Sequence, residues 1–378
     1  MEDETTSINL NEKNILTMTS ERKLAHLQIC LEQDVQSRVV STGLEDISFI
    51  HQATTDLNLE DIDLSIKIFN KKLKLPLIIS GMTGGHSFSL KLNDYLSQVA
   101  EKTKIGIGVG SQRAALEDIS ARESFQIIKN NAGNTLKIGN IGAGQIVNDF
   151  TSSDLKEIIE MIGADAIAFH FNPLQESIQP EGDTNLFGLK EKTKSLIQSS
   201  NVPIIAKEVG SGFSIIDINR LKNLGFSGVD VQGVGGTSWS GVESIRTNVL
   251  KYKRAGEVYW DWGTPTAIST LLASRNFDGT VIGSGGVRTG LDVAKLIALG
   301  ANAAGMALPF LFAIKDQSIE KVYDFINEIE YQLRIACFLT GSSNLSELQS
   351  APLLITGKTA EVLRIYGINP EIYYSRAK

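Results

Sequence analysis

The segment from residue 279 to residue 309 limits the possible folds of this chain more than any other stretch. Its sequence is GTVIGSGGVRTGLDVAKLIALGANAAGMALP. A short apolar strand is predicted over residues 280–282, and a second strand, built of small residues, over residues 303–308. The helical pattern between them ends at Gly300. Its apolar face is predicted to contain Leu291, Ala294, Ile297 and Ala298. Two strands joined by one helix within about 30 residues predict a parallel βαβ unit.

A pair of glycines, Gly285 and Gly286, separates the first strand from the helix. Glycine lets backbone N–H groups approach an anion closely, and the N-terminus of the following helix adds partial positive charge. Arg288 lies beside the pair, and the second strand ends at Ala307-Leu308. A phosphate site built from the last two strand–helix loops is characteristic of the (β/α)8 barrel. The alternative for these glycines is a tight turn that binds nothing.

The alternation of strands and helices extends back to Pro76 and supplies six more strands. They are predicted at residues 77–80, 105–109, 136–138, 166–169, 203–206 and 228–231. Eight such strands predict an α/β fold, a (β/α)8 TIM barrel over residues 76–345. An open doubly wound sheet would need a G-x-G-x-x-G turn after its first strand, and the turn at residues 81–85, GMTGG, does not fit.

Three segments surround the predicted barrel. Residues 1–20 are polar and acidic, and we predict a disordered tail there. Residues 21–75 are predicted to form an N-terminal arm that contributes to the active site. Residues 346–378 are predicted to form a C-terminal helical extension. Within the barrel, a long polar loop is predicted from the end of the fourth strand to Gly188.

Composition excludes several classes of function for a chain of 378 residues. A net charge of −7 without a long basic run argues against nucleic acid as a partner. No apolar run approaches the length of a membrane span, and the N-terminus has no signal sequence, so no membrane association is expected. Two cysteines, Cys30 and Cys337, give neither a disulfide framework nor metal-ligand spacing. These features predict a cytoplasmic protein.

Polar residues and glycines follow nearly every predicted strand at its C-terminal end, where the active sites of barrels lie. They are Met82, Thr83, Gly84, Gly85, Ser111, Arg113, Asn140, His170, Asn172, Lys207, Thr237, Gly285, Gly286 and Val287. Each one alone has a structural explanation as a helix cap or a turn residue, but the set does not. The pattern predicts a deep cavity suited to a large planar cofactor with a phosphate tail, with Lys207 beside an electron-rich ring.

Eight short motifs occur in a fixed order from Arg22 onward, and the match continues beyond Leu345. They are Arg22-Lys23-x-x-His26-Leu27, Met82-Thr83-Gly84-Gly85, Gly110-Ser111-Gln112-Arg113, Gly139-Asn140-Ile141-Gly142-Ala143, His170-x-Asn172-Pro173-x-Gln175-Glu176, Gln179-Pro180-Glu181-Gly182-Asp183, Lys207-Glu208-x-Gly210 and Gly235-Gly236-Thr237-Ser238-Trp239. This ordered set resembles the type 2 isopentenyl-diphosphate delta-isomerases. It is far more specific than any one of its motifs.

The resemblance implies an enzyme that interconverts isopentenyl and dimethylallyl diphosphate in isoprenoid biosynthesis, with FMN and Mg²⁺. Carried onto matching positions, it implies FMN contacts at Met82, Thr83, Gly84, Ser111, Asn140, Lys207, Thr237, Gly285, Gly286, Val287, Ala307 and Leu308. It implies substrate contacts at Arg22, Lys23, His26, Arg113, Asn172 and Gln175, and a Mg²⁺ ligand at Glu176. It also implies a homotetramer or homo-octamer. One departure is Gln232, which occupies a place where a small residue near the flavin is expected.

Moving a carbon–carbon double bond requires one proton added and one removed, with no net redox change. We therefore predict that reduced FMN, formed with NAD(P)H, is itself the acid and base, and that Lys207 balances its negative charge. His170 is the alternative acid, and Gln175, Trp239 and Glu243 are supporting candidates. The sequence does not decide which of these groups transfers the proton.

Two other classes of protein compete with this prediction. An FMN-dependent hydroxy-acid oxidase would need a catalytic histidine late in the barrel, yet all four histidines lie in the first half of the chain. A nucleotide dehydrogenase would need a nucleophilic cysteine in a barrel loop, and neither cysteine follows a predicted barrel strand. A non-catalytic flavin-binding protein would have no use for Arg22, Lys23, Gln175 and Glu176 together.

Overall fold

The computed structural model describes residues 21–377, and its centre is a closed barrel of eight parallel strands. The barrel confirms the fold class predicted from the sequence. The prediction of a disordered acidic tail concerns residues 1–20, which lie outside the described residues. Among the described residues, no helix is long and apolar enough to cross a membrane.

The N-terminal arm consists of one helix, α1, over residues 21–32, and three short strands. These strands are β1 (Ile47–Phe49), β2 (Ile66–Ile68) and β3 (Lys71–Leu73). Strands β2 and β3 form an antiparallel hairpin. Ile68 and Leu73 of this hairpin are buried against the apolar residues inside the barrel, including Ile78, and so help to fill its interior.

All eight barrel strands lie within one or a few residues of their predicted positions. They are β4 (Leu77–Ile79), β5 (Gly106–Gly108), β6 (Lys137–Gly142), β7 (Ala166–His170), β8 (Ile204–Lys207), β9 (Gly228–Asp230), β10 (Thr280–Ser284) and β11 (Ala303–Met306). Strand β11 pairs with β4 and closes the barrel. The largest difference is β6, which continues to Gly142 because its residues are buried throughout and pair with β7.

Helices alternate with the barrel strands along the chain. Up to the end of the barrel they are α2 (Ser87–Thr103), α3 (Arg113–Glu117), α4 (Glu123–Asn131), α5 (Ala143–Val147), α6 (Ser152–Ile162), α7 (Pro173–Ile178), α8 (Leu189–Ser199), α9 (Ile215–Leu224), α10 (Trp239–Arg246), α11 (Leu250–Val258), α12 (Thr266–Asn276), α13 (Gly290–Ala298), α14 (Leu308–Ile314) and α15 (Ile319–Leu339). The prediction of a loop up to Gly188 is wrong in its first part, because residues Pro173–Ile178 form helix α7. Proline suits this first helical position because its ring fixes φ and no N–H is needed there.

Helix α13 corrects one detail of the opening prediction. Thr289 begins the helix with a capping box that includes Asp292. Leu291 is 45% exposed, so it does not belong to the buried face. That face is made by Val293, Ala294, Leu296 and Ile297. The helix is apolar over most of its length, so periodicity alone did not separate its inner face from its outer one.

The segment after the barrel contains a strand as well as helices. Its elements are α16 (Leu345–Ser350), β12 (Leu353–Ile355), α17 (Gly357–Ile365) and α18 (Glu371–Tyr374). Strand β12 pairs antiparallel with β1 of the arm, with Ile47 opposite Ile355. The N-terminal arm and the segment after the barrel are therefore joined by backbone hydrogen bonds.

The arm also pairs with the loop that follows β9. Ser37 N donates to Gly236 O at 2.8 Å, and Ser238 N donates to Val35 O at 2.7 Å. Trp260 Nε1 donates to Gln36 O at 2.9 Å, and the Arg38 guanidinium lies 3.4 Å from a ring centroid of Trp260. These contacts hold the residues after α1 against the end of the barrel where the strands terminate.

Candidate active site

A cavity of about 250 Å³ opens at the C-terminal ends of the barrel strands, and α1 forms part of its wall. Most of the residues predicted for the site line this cavity. They are Arg22, Lys23, His26, Met82, Thr83, Ser111, Arg113, Asn140, His170, Asn172, Gln175, Glu176, Lys207, Thr237, Trp239, Gly285, Gly286, Val287, Ala307 and Leu308. Among the predicted substrate, cofactor, metal and catalytic residues, Gly84 and Glu243 do not line it, and neither does Gly85 of the wider pattern. Gly84 and Glu243 both lie directly behind residues that do.

The glycine pair after β10 is required by packing and also lines the cavity. Gly285 has φ +101° and Gly286 has φ +70°, which residues with side chains rarely adopt. A Cβ atom on Gly285 would lie 2.2 Å from Gly233 O, and one on Gly286 would lie 2.4 Å from Gly235 O. The loops after β9 and β10 therefore touch backbone to backbone. The tight-turn and anion-binding explanations of this pair are compatible.

Lys207 brings a buried cation to the cavity from the end of β8. Its Nζ donates to Glu208 O at 2.9 Å. Burial lowers the pKa of Lys207, while the negative charges of Asp230 and Glu208 oppose that change. The cavity thus contains an ammonium group whose charge depends on nearby acids.

Asp230, at the end of β9, is a buried acid that the sequence analysis missed. Gln232 Nε2 donates to its Oδ1 at 3.0 Å, and Ser284 Oγ donates to the same oxygen. Gln232, noted above as a departure, has φ +41° and lines the cavity above Asp230. The only signal in the sequence was the position of Asp230 three residues before the glycine-rich loop.

His170 is held in one tautomer by Asn140. Asn140 Nδ2 donates to Val109 O at 3.0 Å, which turns its Oδ1 toward His170 Nδ1, 2.8 Å away. Nδ1 must therefore carry the proton, and Nε2 is left as an acceptor. Burial, with the charge of Lys207, lowers the pKa of His170 to about 3. A neutral imidazole with an acceptor at Nε2 is a poor general acid, which counts against that alternative role.

Lys23 reaches from α1 into the cavity wall. Its Nζ donates to Gly84 O at 2.7 Å and to Ser111 O at 3.2 Å. Gly84 does not line the cavity, but its carbonyl oxygen helps to position Lys23, which does. Burial, followed by the charge of Arg22, lowers the pKa of Lys23 to about 7. Ser111 Oγ is buried, and no described residue hydrogen-bonds to it. A polar atom left in this way is suited to a ligand.

Glu243 is the buried centre of a polar network behind the cavity. Its side chain is 0% exposed. Gln175 Nε2 lies 3.0 Å from its Oε1, and Arg246 Nε lies 2.7 Å from its Oε2. Burial opposes ionisation, but the hydrogen bond and charge of His26 together with these partners lower the pKa of Glu243 to about 2. Glu243 is therefore a fixed charge that orients other residues.

Arg22 is held at the cavity by acids and amides of the loop after α7. Its Nη1 lies 3.8 Å from Glu181 Oε1, and the same oxygen lies 2.7 Å from Arg246 Nη2. The side-chain amide of Gln179 lies between Arg22 and Glu243. In the orientation that satisfies both, its oxygen accepts from Arg22 Nη1 at 2.9 Å and its nitrogen donates to Glu243 Oε1 at 3.1 Å. The sequence analysis did not assign roles to Gln179, Glu181 or Arg246.

Glu176 offers one carboxylate to the cavity from α7. Asn172 Nδ2 donates to its Oε1 at 2.8 Å, and Asp183 N donates to its Oε2 at 2.7 Å. Within residues 21–377, no group of three or more His, Cys, Asp or Glu side chains could enclose a metal ion. A cation here would need ligands that the protein does not provide.

The chain is similar to known proteins in sequence and in fold. Residues 174–355 match the family model described as FMN-dependent dehydrogenase. The chain is 42% identical to "Isopentenyl-diphosphate delta-isomerase" of Methanosarcina acetivorans over 95% of this chain and 98% of the relative. It is 43% identical to the protein of the same name in Methanococcoides burtonii over 93% of this chain and 97% of the relative.

A solved structure of a lactate oxidase from Pediococcus acidilactici has a TM-score of 0.64 with this chain. It is 14% identical over 92% of this chain and 94% of the oxidase. Such a likeness supports the barrel fold and nothing finer. The identity to the archaeal relatives extends over nearly the full length of both chains, and it confirms the resemblance inferred from the motifs. The chain belongs to the family of isopentenyl-diphosphate delta-isomerases.

Proposed function

We propose that the protein interconverts isopentenyl diphosphate and dimethylallyl diphosphate, with reduced FMN as acid and base, Mg²⁺ as a partner of the diphosphate, and NAD(P)H as reductant. The observation that carries this proposal is that one cavity combines two kinds of cation. Lys207 lies at the end of β8, while Arg22 and Lys23 reach the same cavity from α1. A site that bound flavin alone would not need the cations of α1, Arg22 and Lys23.

The residues of the cavity fit FMN. The glycine pair at 285–286 leaves the backbone without side chains where the phosphate tail would lie, and Ser111 Oγ is a buried polar atom that lacks a protein partner. Met82, Thr83, Asn140 and Thr237 would contact the cofactor, and Lys207 would face its electron-rich ring. Reduced FMN, when bound, would supply the proton transfers and an electron-rich surface for positive charge on the alkene.

The fit to Mg²⁺ is that of a metal shared with the substrate. Mg²⁺ typically retains waters and takes one or two carboxylates together with phosphate oxygens. Glu176 supplies one carboxylate whose orientation is fixed by Asn172 and by the backbone of Asp183. We propose Glu176 as the protein ligand, with the diphosphate supplying others.

The diphosphate would be held by the cations and amides at the mouth of the cavity. Arg22, Lys23 and Arg113 offer positive charge, and His26, Asn172 and Gln175 offer hydrogen bonds. A phosphate beside Lys23 would favour its charged form, because the opposite charge raises the pKa that burial and Arg22 have lowered. Arg22 and Lys23 belong to α1, so the arm would also exclude water from the reacting alkene.

The side chains near the alkene would orient the substrate and hold charge. Lys207 would balance the negative charge of the reduced cofactor. His170, neutral at pH 7, would accept a hydrogen bond at Nε2, and Glu243 would keep Gln175 directed at the cavity. Trp239, whose ring centroid lies 5.2 Å from that of His26, would form part of the apolar wall.

An anaerobic assay tests the proposal. The purified protein is incubated with FMN, Mg²⁺ and isopentenyl diphosphate, with or without dithionite or NADPH, and dimethylallyl diphosphate is followed by proton NMR. Product should appear only with reduced flavin, and the flavin spectrum should show no net turnover. Equal rates with oxidised FMN would contradict the acid–base role, and absence of product under every condition would contradict the function.

We also propose a cytoplasmic homotetramer or homo-octamer. The free state of Cys30 and Cys337, both buried, supports a reducing compartment. Exposed apolar side chains on and beside α11 support self-association, among them Val249, Leu250, Val258 and Trp262. Light scattering during size-exclusion chromatography measures the number of subunits directly.

A further inference from the structure

Two residues of opposite charge occupy neighbouring positions on adjacent barrel strands at the cavity. Lys207 and Asp230 are paired across β8 and β9, so their Cα atoms are neighbours in the barrel. The two residues are 8% and 6% exposed. Lys207 lines the cavity, whereas Asp230 lies behind Gln232, which lines it. The charge of Asp230 is therefore separated from the cavity by one side chain.

The partners of Asp230 support its ionised form. Ser284 Oγ accepts a hydrogen bond from Gln232 N at 2.8 Å, so its own hydroxyl proton is free to be donated to Asp230. Gln232 Nε2 lies 3.0 Å from Oδ1 and 3.3 Å from Oδ2 of Asp230. Both side chains that contact Asp230, Ser284 and Gln232, donate to its carboxylate. Burial raises the pKa of Asp230, but the charge of Lys207 and these hydrogen bonds oppose that change.

Gln232 adopts a strained backbone to make these contacts. Its φ of +41° lies in the left-handed region, which is uncommon for a residue with a long side chain. In this conformation its amide nitrogen reaches Asp230 and also lies 3.3 Å from Ser80 Oγ, at the end of β4. Strain of this kind persists where surrounding contacts enforce it. The amide thus covers Asp230 and separates its carboxylate from the cavity.

The carboxylate of Glu208, the other acid near Lys207, accepts hydrogen bonds from the backbone. Its Oε2 accepts from the N–H groups of Val209, Gly210 and Gly212 at 2.7, 2.7 and 3.1 Å. Burial nevertheless raises the pKa of Glu208 to about 7, so this carboxyl group carries less than a full negative charge at neutral pH. Asp230 is therefore the acid whose charge remains to balance Lys207.

We propose that Asp230 is a positioning residue for the flavin site, and that it acts through Lys207. Its carboxylate offsets the ammonium charge and so sets how much more tightly the cavity binds reduced FMN than oxidised FMN. Adding two electrons and one proton to FMN gives the reduced ring one extra negative charge. The ratio of the affinities for reduced and oxidised FMN therefore measures the net charge of Lys207 and Asp230. This inference rests on the proposed function.

The test is the midpoint potential of bound FMN, measured by anaerobic titration with a reference dye. Asp230→Asn removes one negative charge with little change of shape, and a neighbouring charge shifts an ionisation equilibrium by about one order of magnitude or more. We expect the ratio of reduced to oxidised affinity to rise about tenfold, which is a potential about 30 mV higher for a two-electron couple. Lys207→Met should lower the potential.

Charge balance gives the sharper comparison. In the double variant Asp230→Asn with Lys207→Met, both charges are absent, and the potential should return close to that of the unmodified protein. The matched control is Asp165→Asn. Asp165 forms ion pairs with Lys137 and Lys71, each at 3.4 Å, and neither Asp165 nor its partners line the cavity, so the potential should not change.

An effect through structure alone would weaken both forms of FMN equally and leave their ratio unchanged, which would overturn the inference. A fall in potential for Asp230→Asn would also overturn it. If Asp230→Asn does not fold by itself, the same substitution is made in the Lys207→Met background, where the potential should rise relative to Lys207→Met alone, with no rise overturning the inference. The proposed function fails separately, if the unmodified protein binds FMN with a measurable potential yet forms no product.

Discussion

His26 Nε2 lies 2.9 Å from Glu243 Oε1, which links the N-terminal helix to a fully buried carboxylate of the barrel. Glu243 also contacts Gln175 on α7 and Arg246 on its own helix. One buried charge therefore connects three elements that surround the cavity. Because a buried ion is costly to leave without partners, this network fixes the relative positions of the three elements.

We expect Glu243→Gln to destabilise the protein by roughly 3 kcal/mol at pH 7, since a pKa lowered from 4.5 to about 2 stabilises the fold by that order. A carboxyl group with a lowered pKa contributes its full stability above the pKa of the unfolded chain and loses it as the pH falls toward 2. The difference between the two proteins should therefore shrink from pH 4.5 downward.

Urea unfolding at pH 7 and at pH 3 measures this difference. Glu257→Gln is the matched control, because Glu257 pairs with Arg38 at the surface, where both side chains are about half exposed. Such pairs contribute about 1 kcal/mol at most. A Glu243→Gln variant no less stable than the control at pH 7 would contradict the role given to Glu243.

Replacing both Arg22 and Lys23 by alanine should raise the KM for isopentenyl diphosphate about ten- to a hundredfold. A charge-assisted hydrogen bond contributes about 1.5–3 kcal/mol, and every 1.4 kcal/mol is about tenfold in affinity. FMN affinity should stay within about twofold, because the phosphate of FMN is proposed to lie at the loops after β10 and β11, whereas Arg22 and Lys23 belong to α1. Lys72→Ala, an exposed cation of the same arm, is the control. An unchanged KM would remove α1 from the substrate site.

Glu176→Gln should increase the Mg²⁺ concentration needed for half-maximal activity by about tenfold or more, since one anionic ligand is lost. The amide oxygen can still accept one of the two hydrogen bonds that Asn172 and Asp183 N donate to separate carboxylate oxygens, so the protein should still fold and bind FMN. Glu191→Gln on the exposed side of α8 serves as control. Identical Mg²⁺ titrations for the two variants would exclude Glu176 as a ligand.

The imidazole of His170 should remain neutral from pH 8 down to pH 5. Its pKa, lowered to about 3 chiefly by burial, puts protonation well below that range. Nitrogen-15 NMR of labelled protein should show a single tautomer with the proton on Nδ1, as the bond to Asn140 requires. The assignment can be made by loss of the signal in His170→Gln. A titration midpoint between pH 5 and pH 8 would contradict the lowered pKa and reopen the role of His170 as an acid, and a proton on Nε2 would contradict the tautomer.

The barrel, and most of the residues that line its cavity, were predictable from the sequence. Each strand is a short apolar run followed by glycines or polar residues, and in a closed parallel barrel the carboxyl ends of all strands meet at one face. Residues as distant as Ser111, His170 and Gly285 were therefore expected together, and all three line one cavity. The assignment of Arg22 and Lys23 to the site came from the resemblance of their motif, not from periodicity.

The tertiary structure decided which polar residues contact one another and which face solvent. Asp230 meets Ser284, and Glu243 meets His26, over separations of 54 and 217 residues that no local pattern encodes. Leu291 is exposed because the other side of α13 packs inward, which a largely apolar helix does not reveal. Local periodicity reflects the backbone conformation of one element. The charge state of a buried group depends instead on neighbours from several elements, and only the closed barrel brings those together.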